Sequence, residues 1–283
     1  MKSQNDIKNQ DDIVVNDFGK EWDKFKQDKL TKNDHISQFN SYFNIFPWEK
    51  INAKKIGADI GCGSGRLATL VAPRVGHLHL VDPSKQALEV AKFNLEGVKN
   101  TSFYAKSVHE LPFKRNSLDF AYCLGVLHHI PDTIAGIKSI SDTLKPGAPF
   151  LVYLYYAFDN RPLWFKILWK ISDLIRIVIS SLPTGLRHLS CEFIALLIYF
   201  PITKIARLLR ALKVLPRTWP LRYYIDHSYY VLRTDALDRF GTKLEKRFTK
   251  DQIKEMLESC GFENIKFSDT LPHWCAVGIK ANK

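Results

Sequence analysis

Two pieces of the 283-residue chain could hold a nucleotide: Asp59-Ile-Gly-Cys-Gly-Ser-Gly65 and, 23 positions after Asp59, the lone acid Asp82. Alternating glycines let a backbone turn tightly and lie against a ligand without Cβ clashes. A dinucleotide would place its pyrophosphate at the start of the following helix and its ribose on Asp82. However, the spacing is G-x-G-x-G and not G-x-G-x-x-G. The carboxylate of Asp59 at the head of the loop suits an amino group or a bound water better than a pyrophosphate. Two further pairs carry ionisable groups, His128-His129 and Asp226-His227. An imidazole titrates near neutrality, so each histidine reads either as a structural side chain or as a general base. The second pair lies in Pro-Leu-Arg-Tyr-Tyr-Ile-Asp-His-Ser-Tyr-Tyr, residues 220–230. That stretch reads as an active-site mouth or as a surface turn with packed tyrosines.

The elements that must position these residues follow a strand–helix rhythm from Lys54 onward. Strands are expected at 56–60, 78–81, 101–105, 118–124 and 148–155. Helices are expected at 64–73, at 84–94 with Ser84 as cap, and at 132–144, stopped by Lys145-Pro-Gly147. After a break the rhythm resumes with a helix at 249–260, capped by Thr249 and ended by Gly261, and strands at 263–268 and 274–280. This alternation predicts an α/β fold, a doubly wound, seven-stranded, mostly parallel sheet with a helical insertion after strand 5. Ligands of such sheets sit beyond the carboxyl ends of the strands.

The expected organisation is a flexible tail at 1–16, a helical lid at 17–53, a cofactor-binding core at 54–156, a substrate cap at 157–233 and a C-terminal completion of the sheet at 234–283. The lid carries Phe18, Trp22, Phe25, Phe39, Tyr42, Phe43, Phe46 and Trp48. The cap repeats apolar residues at helical spacing and holds twelve Lys/Arg against four Asp/Glu, a net +8 of the chain's formal +12. A basic, greasy segment reads in three ways: as a cap over substrate, as a contact between two copies, or as a helix lying on an anionic membrane. The five cysteines show no metal-type spacing and read as reduced, so no metal is expected. The first residues lack an apolar signal segment, and no run reaches 18 consecutive apolar residues, so no segment is expected to span a bilayer. The expected location is cytoplasmic, with peripheral contact at the inner membrane face under the third reading.

Asp59–Gly65, Asp82, the Leu111-Pro-Phe113 and Ser117–Ala121 segments, Leu124-Gly-Val-Leu-His-His-Ile130 and Leu144-Lys-Pro-Gly-Ala148 together resemble the class I S-adenosylmethionine-dependent methyltransferases. Within that class they are most similar to the branch of quinone-biosynthesis and small-molecule methyltransferases. The resemblance covers about 54–156 and 249–280. It implies a Rossmann-like fold and S-adenosyl-L-methionine as cofactor, released as S-adenosyl-L-homocysteine. It further implies that Asp59 and the backbone of Gly61, Cys62, Gly63 and Gly65 meet the amino-acid end of the cofactor. Asp82 would accept both ribose hydroxyls, and Pro83 or Ser84 would line adenine. Ser107 and Val108 stand where the family often has an acid and its neighbour beside adenine. Leu124 and Gly125 would face the sulfonium, and His128 or His129 would begin the substrate wall. Further candidates are His227 and Asp226 for catalysis and Trp22, Arg222, Tyr223, Tyr224, Tyr229, Tyr230 and Arg233 for substrate.

The expected function is therefore methyl transfer to a small molecule on oxygen, nitrogen or carbon. The alternative is a membrane-associated enzyme acting on a lipid, a quinone precursor or a lipid-linked sugar. A nucleic-acid enzyme is disfavoured, because no D/N-P-P-Y/F segment follows strand 4 and the basic residues are mixed with Leu and Ile rather than set in a polar groove.

Overall fold

The computed structural model describes residues 9–25 and 30–282, the side chains of residues 23 and 24 aside. The chain divides into two compact units. The first comprises Met1–Asp28, Ser37–Ala157 and Leu244–Lys283; the second comprises Lys29–Ile36 and Phe158–Lys243.

The first unit is built on seven strands: β1 (Ile56–Ile60), β2 (His77–Val81), β3 (Thr101–Tyr104), β4 (Phe120–Leu124), β5 (Pro149–Tyr153), β6 (Phe262–Phe267) and β7 (Ala276–Lys280). Their order is β3-β2-β1-β4-β5-β7-β6. Strands β1 to β5 pair in parallel, and β7 runs antiparallel to both β5 and β6. The central strands are apolar on both faces, as parallel strands covered on both sides must be. Ala58, Leu78, Leu80, Phe120, Phe150 and Leu151 are all fully buried. The reversal of strand order between β1 and β4 opens a crevice at their carboxyl ends.

Helices α1 (Asp12–Lys24), α2 (Lys32–Phe43), α3 (Ala68–Val71), α4 (Lys85–Asn94) and α5 (Thr133–Thr143) precede the insertion, and the unit boundary falls within α2. The start of α4 is fixed by Ser84 Oγ, which accepts the Ala87 N–H at 3.3 Å, and that of α5 by Asp132, which accepts the Ala135 N–H at 2.9 Å. Phe39, Phe43, Phe46 and Trp48 stack and cross one another, and Phe43 meets the Tyr122 ring edge-on at 5.2 Å.

The second unit holds α6 (Leu163–Ser180), α7 (Thr184–Ile194), α8 (Phe200–Ala211) and α9 (Tyr229–Gly241). A single π-helical turn, Ala195–Tyr199, joins α7 to α8 without a break. The last helix, α10 (Lys250–Ser259), returns to the first unit and opens with a reciprocal cap between Thr249 and Gln252.

Three expectations change. The helix expected over 64–73 is a turn followed by α3 and a 3-10 turn at Ala72–Arg74, because Gly65 lies at φ +69° and a left-handed residue cannot continue a helix. The tail expected at 1–16 is already helical from Asp12, where Asp11 accepts the N–H groups of Ile13 and Val14; residues 1–8 lie outside the described residues. The third concerns membrane-spanning length. Polar residues interrupt every apolar run, yet Thr184–Ala211 forms one 28-residue helix that by length and composition alone is long and apolar enough to cross a bilayer.

Candidate functional site

The glycine loop leaves β1 and is hooked at once onto the end of β2. Val81 O accepts the N–H groups of Gly61 at 2.7 Å and Cys62 at 3.1 Å. Asp82 completes the clasp: its Oδ2 accepts the Gly63 N–H at 2.9 Å and its Oδ1 accepts the Ser84 N–H at 2.9 Å. Thus one carboxylate holds both the loop and the entry to α4. Each of its oxygens keeps a second lone pair for a hydroxyl. Gly61, Gly63 and Gly65 all have positive φ, as the loop turn requires. At Gly63 an added Cβ would lie 2.9 Å from the Trp22 ring, so α1 can close on the loop only over a glycine.

These elements bound a cavity within the first unit, of about 150 Å³. The loop from Asp59 to Ser64, Asp82 and Pro83 form one wall, and Ser107, Val108, Leu124 and Gly125 form another. His129 and Ile130 continue the second wall, while Asn9, Val14, Phe18 and Trp22 approach from the N-terminal segment. Gly125 has φ +78°, and a Cβ there would meet nothing within 4 Å. The bare backbone therefore leaves space beside Leu124 that any larger residue would fill.

Charge in the cavity is unusual. Asp59 and Asp82 are 5% and 8% exposed. Burial pushes the Asp59 carboxyl up to about 8; the facing Tyr122 hydroxyl and Arg66 pull it down, and Asp82 raises it further. Burial also pushes Asp82 up to about 6, against the pull of the Ser84 and Gly63 N–H groups. Two acids withheld from water fit a ligand that brings positive charge. The donor set and the free space suit a cofactor with a cationic amino-acid end and a diol.

The two histidines separate. His129 lines the cavity, and its Nδ1 lies 2.6 Å from Leu244 O. A carbonyl oxygen only accepts, so Nδ1 carries a proton in that bond. His128 is fully buried behind it, with its ring 3.8 Å from the Tyr155 ring and 4.0 Å from His129. Burial, then His129 and Arg247, hold His128 well below the usual imidazole range, so it is neutral. Two loop residues also differ from the rest. Gly65 packs on α4, where a Cβ would lie 3.1 Å from Ala91, and Ser84 serves as the α4 cap.

Of the substrate candidates, Trp22 lines the cavity, and the others belong to the second unit. There they have structural work. Asp226 forms a two-point ion pair with Arg210, at 2.6 Å on each oxygen. His227 stacks on Tyr223 and bonds through Nδ1 to Tyr223 O. Arg233 grips Glu192 with both Nε and Nη2. Tyr224 is half-buried and interacts with Asp235, Tyr229 meets the Phe200 ring edge-on, and Arg222 bonds Pro216 O. Tyr230 follows Tyr229 in the first turn of α9. No group of three or more His, Cys, Asp or Glu able to hold a metal exists among the described residues.

Sequence reasoning missed the approach of Asn9, Gln10, Asp11, Val14 and Val15 to the cavity, along with Tyr42, Lys106 and Tyr122. Only Val14, Phe18 and Trp22, four apart on α1, carried a signal for the N-terminal wall.

Comparison with known proteins agrees with this geometry. Residues 58–152 match the model of a methyltransferase domain. An uncharacterized methyltransferase of Bacillus subtilis is 35% identical over 104 residues, 36% of this chain and 41% of that protein. A ubiquinone biosynthesis O-methyltransferase of Marinobacter nauticus is 29% identical over 210 residues, covering 64% and 86%. The aligned stretch thus spans less than half of the Bacillus protein. A putative methyltransferase of Haloferax volcanii, solved in complex with the Trm112 methyltransferase activator, superposes with a TM-score of 0.55 at 14% identity, covering 93% of this chain and 97% of that one. At that identity the likeness concerns the fold alone.

Proposed function

We propose that the chain, whose residues 58–152 match a methyltransferase domain, is a class I S-adenosylmethionine-dependent methyltransferase that transfers the cofactor's methyl group to a small molecule. One observation carries this reading: a glycine loop and a buried acid clasped together around a cavity that also holds a second buried acid. When bound, the cofactor supplies an electrophilic methyl group on a sulfonium. The remaining work is orientation and exclusion of water, which can account for much of the rate.

In this reading Asp82 accepts the ribose hydroxyls on the lone pairs that Gly63 and Ser84 leave open. Asp59 faces the ammonium end of the cofactor, through water. Pro83 and Val108 flank adenine, with Ser107 alongside. Leu124 and the bare backbone of Gly125 border the sulfonium. His129, its Nδ1 proton committed to Leu244 O, offers Nε2 to a nucleophile that must lose a proton. His128 positions the His129 ring. The accepting atom, oxygen, nitrogen or carbon, follows from the substrate and not from the fold. A quinone precursor is the finer candidate, supported by the resemblance to the Marinobacter ubiquinone biosynthesis O-methyltransferase and by the apolar cavity wall.

Calorimetric titration of the pure protein with S-adenosylmethionine tests the reading directly, and absence of binding would overturn it. Labelled cofactor incubated with cell extract would then reveal, by mass, the product that gains one methyl. With that substrate in hand, His129→Ala is expected to lower kcat by about 10²-fold if the nucleophile is a hydroxyl, with cofactor affinity unchanged. An unchanged kcat would remove His129 from the proton transfer.

The second reading is a membrane-associated methyltransferase with a lipid-phase substrate. The apolar surface of the second unit favours it.

A further inference from the structure

Among the described residues, twenty of the twenty-five large apolar side chains that stand exposed lie between Leu163 and Val214. A soluble monomer scatters such side chains and rarely gathers more than a few hundred Å² of them. Here they are ordered. On α6 seven of the nine exposed apolar side chains, Trp164, Ile167, Leu168, Ile171, Leu174, Ile175 and Val178, are spaced along one stripe at helical intervals. The opposite side of α6 carries the buried Arg176, Ile179 and Ser180. On α7 and the π turn five of the six exposed apolar side chains, Leu186, Leu189, Phe193, Leu196 and Leu197, again fall at helical spacing.

The inward faces are fastened by polar bonds. Arg176 Nη1 donates to Thr242 O at 2.9 Å and to Lys243 O at 3.1 Å. Arg187 donates to Gly241 O, and Arg207 donates to Ile225 O and His227 O. A helix whose far side is docked in this way on its own unit cannot be surrounded by lipid. This excludes a bilayer-spanning role for Thr184–Ala211 in the folded unit.

Charge selects among the remaining occupants. Residues 163–217 hold nine Lys/Arg against two Asp/Glu, a net +7. Both acids are already paired, Asp173 with Arg176 and Glu192 with Arg233. Lys170, Lys204, Lys213 and Arg217 are exposed alongside the apolar stripes. In a symmetric pairing of two copies this basic rim would meet its own image and repel it. A bilayer with anionic headgroups takes both the charge and the apolar face, and Trp164 is of the type that settles at a headgroup boundary.

We propose that α6, α7 and α8 form an interfacial anchor through which the second unit binds the surface of an anionic membrane. The anchor does not depend on the methyl-transfer reading, because it rests on the surface of the second unit alone.

Flotation of the full chain with phosphatidylcholine vesicles, with and without phosphatidylglycerol and at low and high salt, tests it. The expected result is flotation with the anionic vesicles, weakened by salt. Lys170→Glu should weaken binding on the order of tenfold. Ile171→Glu should abolish it, while Phe93→Glu, at an exposed position of the first unit, should leave it unchanged. Cofactor titration on each variant reports separately whether the first unit is intact, so failure of the anchor and failure of the cofactor site are distinct results. Four outcomes would each overturn the proposal: no flotation of the wild type, flotation of Ile171→Glu equal to wild type, a stable solution dimer that this variant dissociates, or retention on the vesicles through alkaline carbonate, which would mean a spanning helix.

Discussion

At the scale of single residues, the two buried acids set the pH behaviour. Asp59 is held up to about 8 and Asp82 up to about 6, so both take up protons within the working range. A cationic ligand binds best when they are ionised. The affinity for S-adenosylmethionine should therefore rise with pH between about 6 and 8, measurable by calorimetry across that range; a flat profile would contradict the assignment. The same raised values bear on stability. The folded Asp59 stays protonated where the unfolded one, near 3.8, has ionised. Its contribution is present below that pH and is lost as pH rises to about 8. In Asp59→Asn the cofactor-free protein should thus lose less thermal stability than wild type between acid and pH 8, a difference on the order of a few kcal/mol. Asp82→Ala removes the acceptor of both Gly63 and Ser84. It should lower cofactor affinity by at least tenfold, since a hydrogen bond to a charged group contributes about 1.5–3 kcal/mol. These residues were legible because an acid at a strand end and glycines at alternate positions are types with few alternative uses. The pairing of His129 with Leu244 O was not, since it joins positions 115 apart.

At the scale of elements, the strands and capped helices were legible to within a few residues, because apolar runs bounded by Ser84, Asp132, Thr249 and Gly261 leave little freedom. The first helix was not. Its charged residues conceal an apolar stripe of only Val14, Phe18 and Trp22, and its place on the glycine loop depends on a missing Cβ at Gly63. A reciprocal pair secures the segment ahead of it: Asn9 Nδ2 donates to Asp132 O at 2.7 Å, and the Asp132 N–H donates back to Asn9 Oδ1 at 2.6 Å. Asn9→Ala breaks both bonds, while leaving the loop and Asp82 untouched. It should weaken cofactor binding about 3- to 30-fold, mostly through faster dissociation, as stopped-flow tryptophan fluorescence would show. Gly63→Ala forces the same wall open from the other side and should have the larger effect.

At the scale of the whole chain, the two units differ in what they keep inside. The first buries an apolar sheet; the second turns much of its apolar surface outward and holds its inner face with arginines. Composition showed that the region 157–233 was both greasy and basic, but not which way the grease faced, because helical spacing marks a stripe without marking its side. All residues lining the cavity belong to the first unit. Hydrogen exchange should therefore record protection by S-adenosylmethionine at 9–22, 59–67 and 124–130, with no gain at 163–214. Protection confined to the second unit would place the cofactor elsewhere.

The buried acids also bear on turnover. Transfer of the methyl group removes one positive charge from the occupant of the cavity, while Asp59 and Asp82 stay where they are. Once ionised, they favour the incoming molecule over the spent one, and the preference grows with the alkalinity of the medium. Both molecules keep the ammonium and the diol, so the affinity for S-adenosylhomocysteine should rise with pH by less than that for S-adenosylmethionine, and the ratio of the two affinities should move toward the reagent.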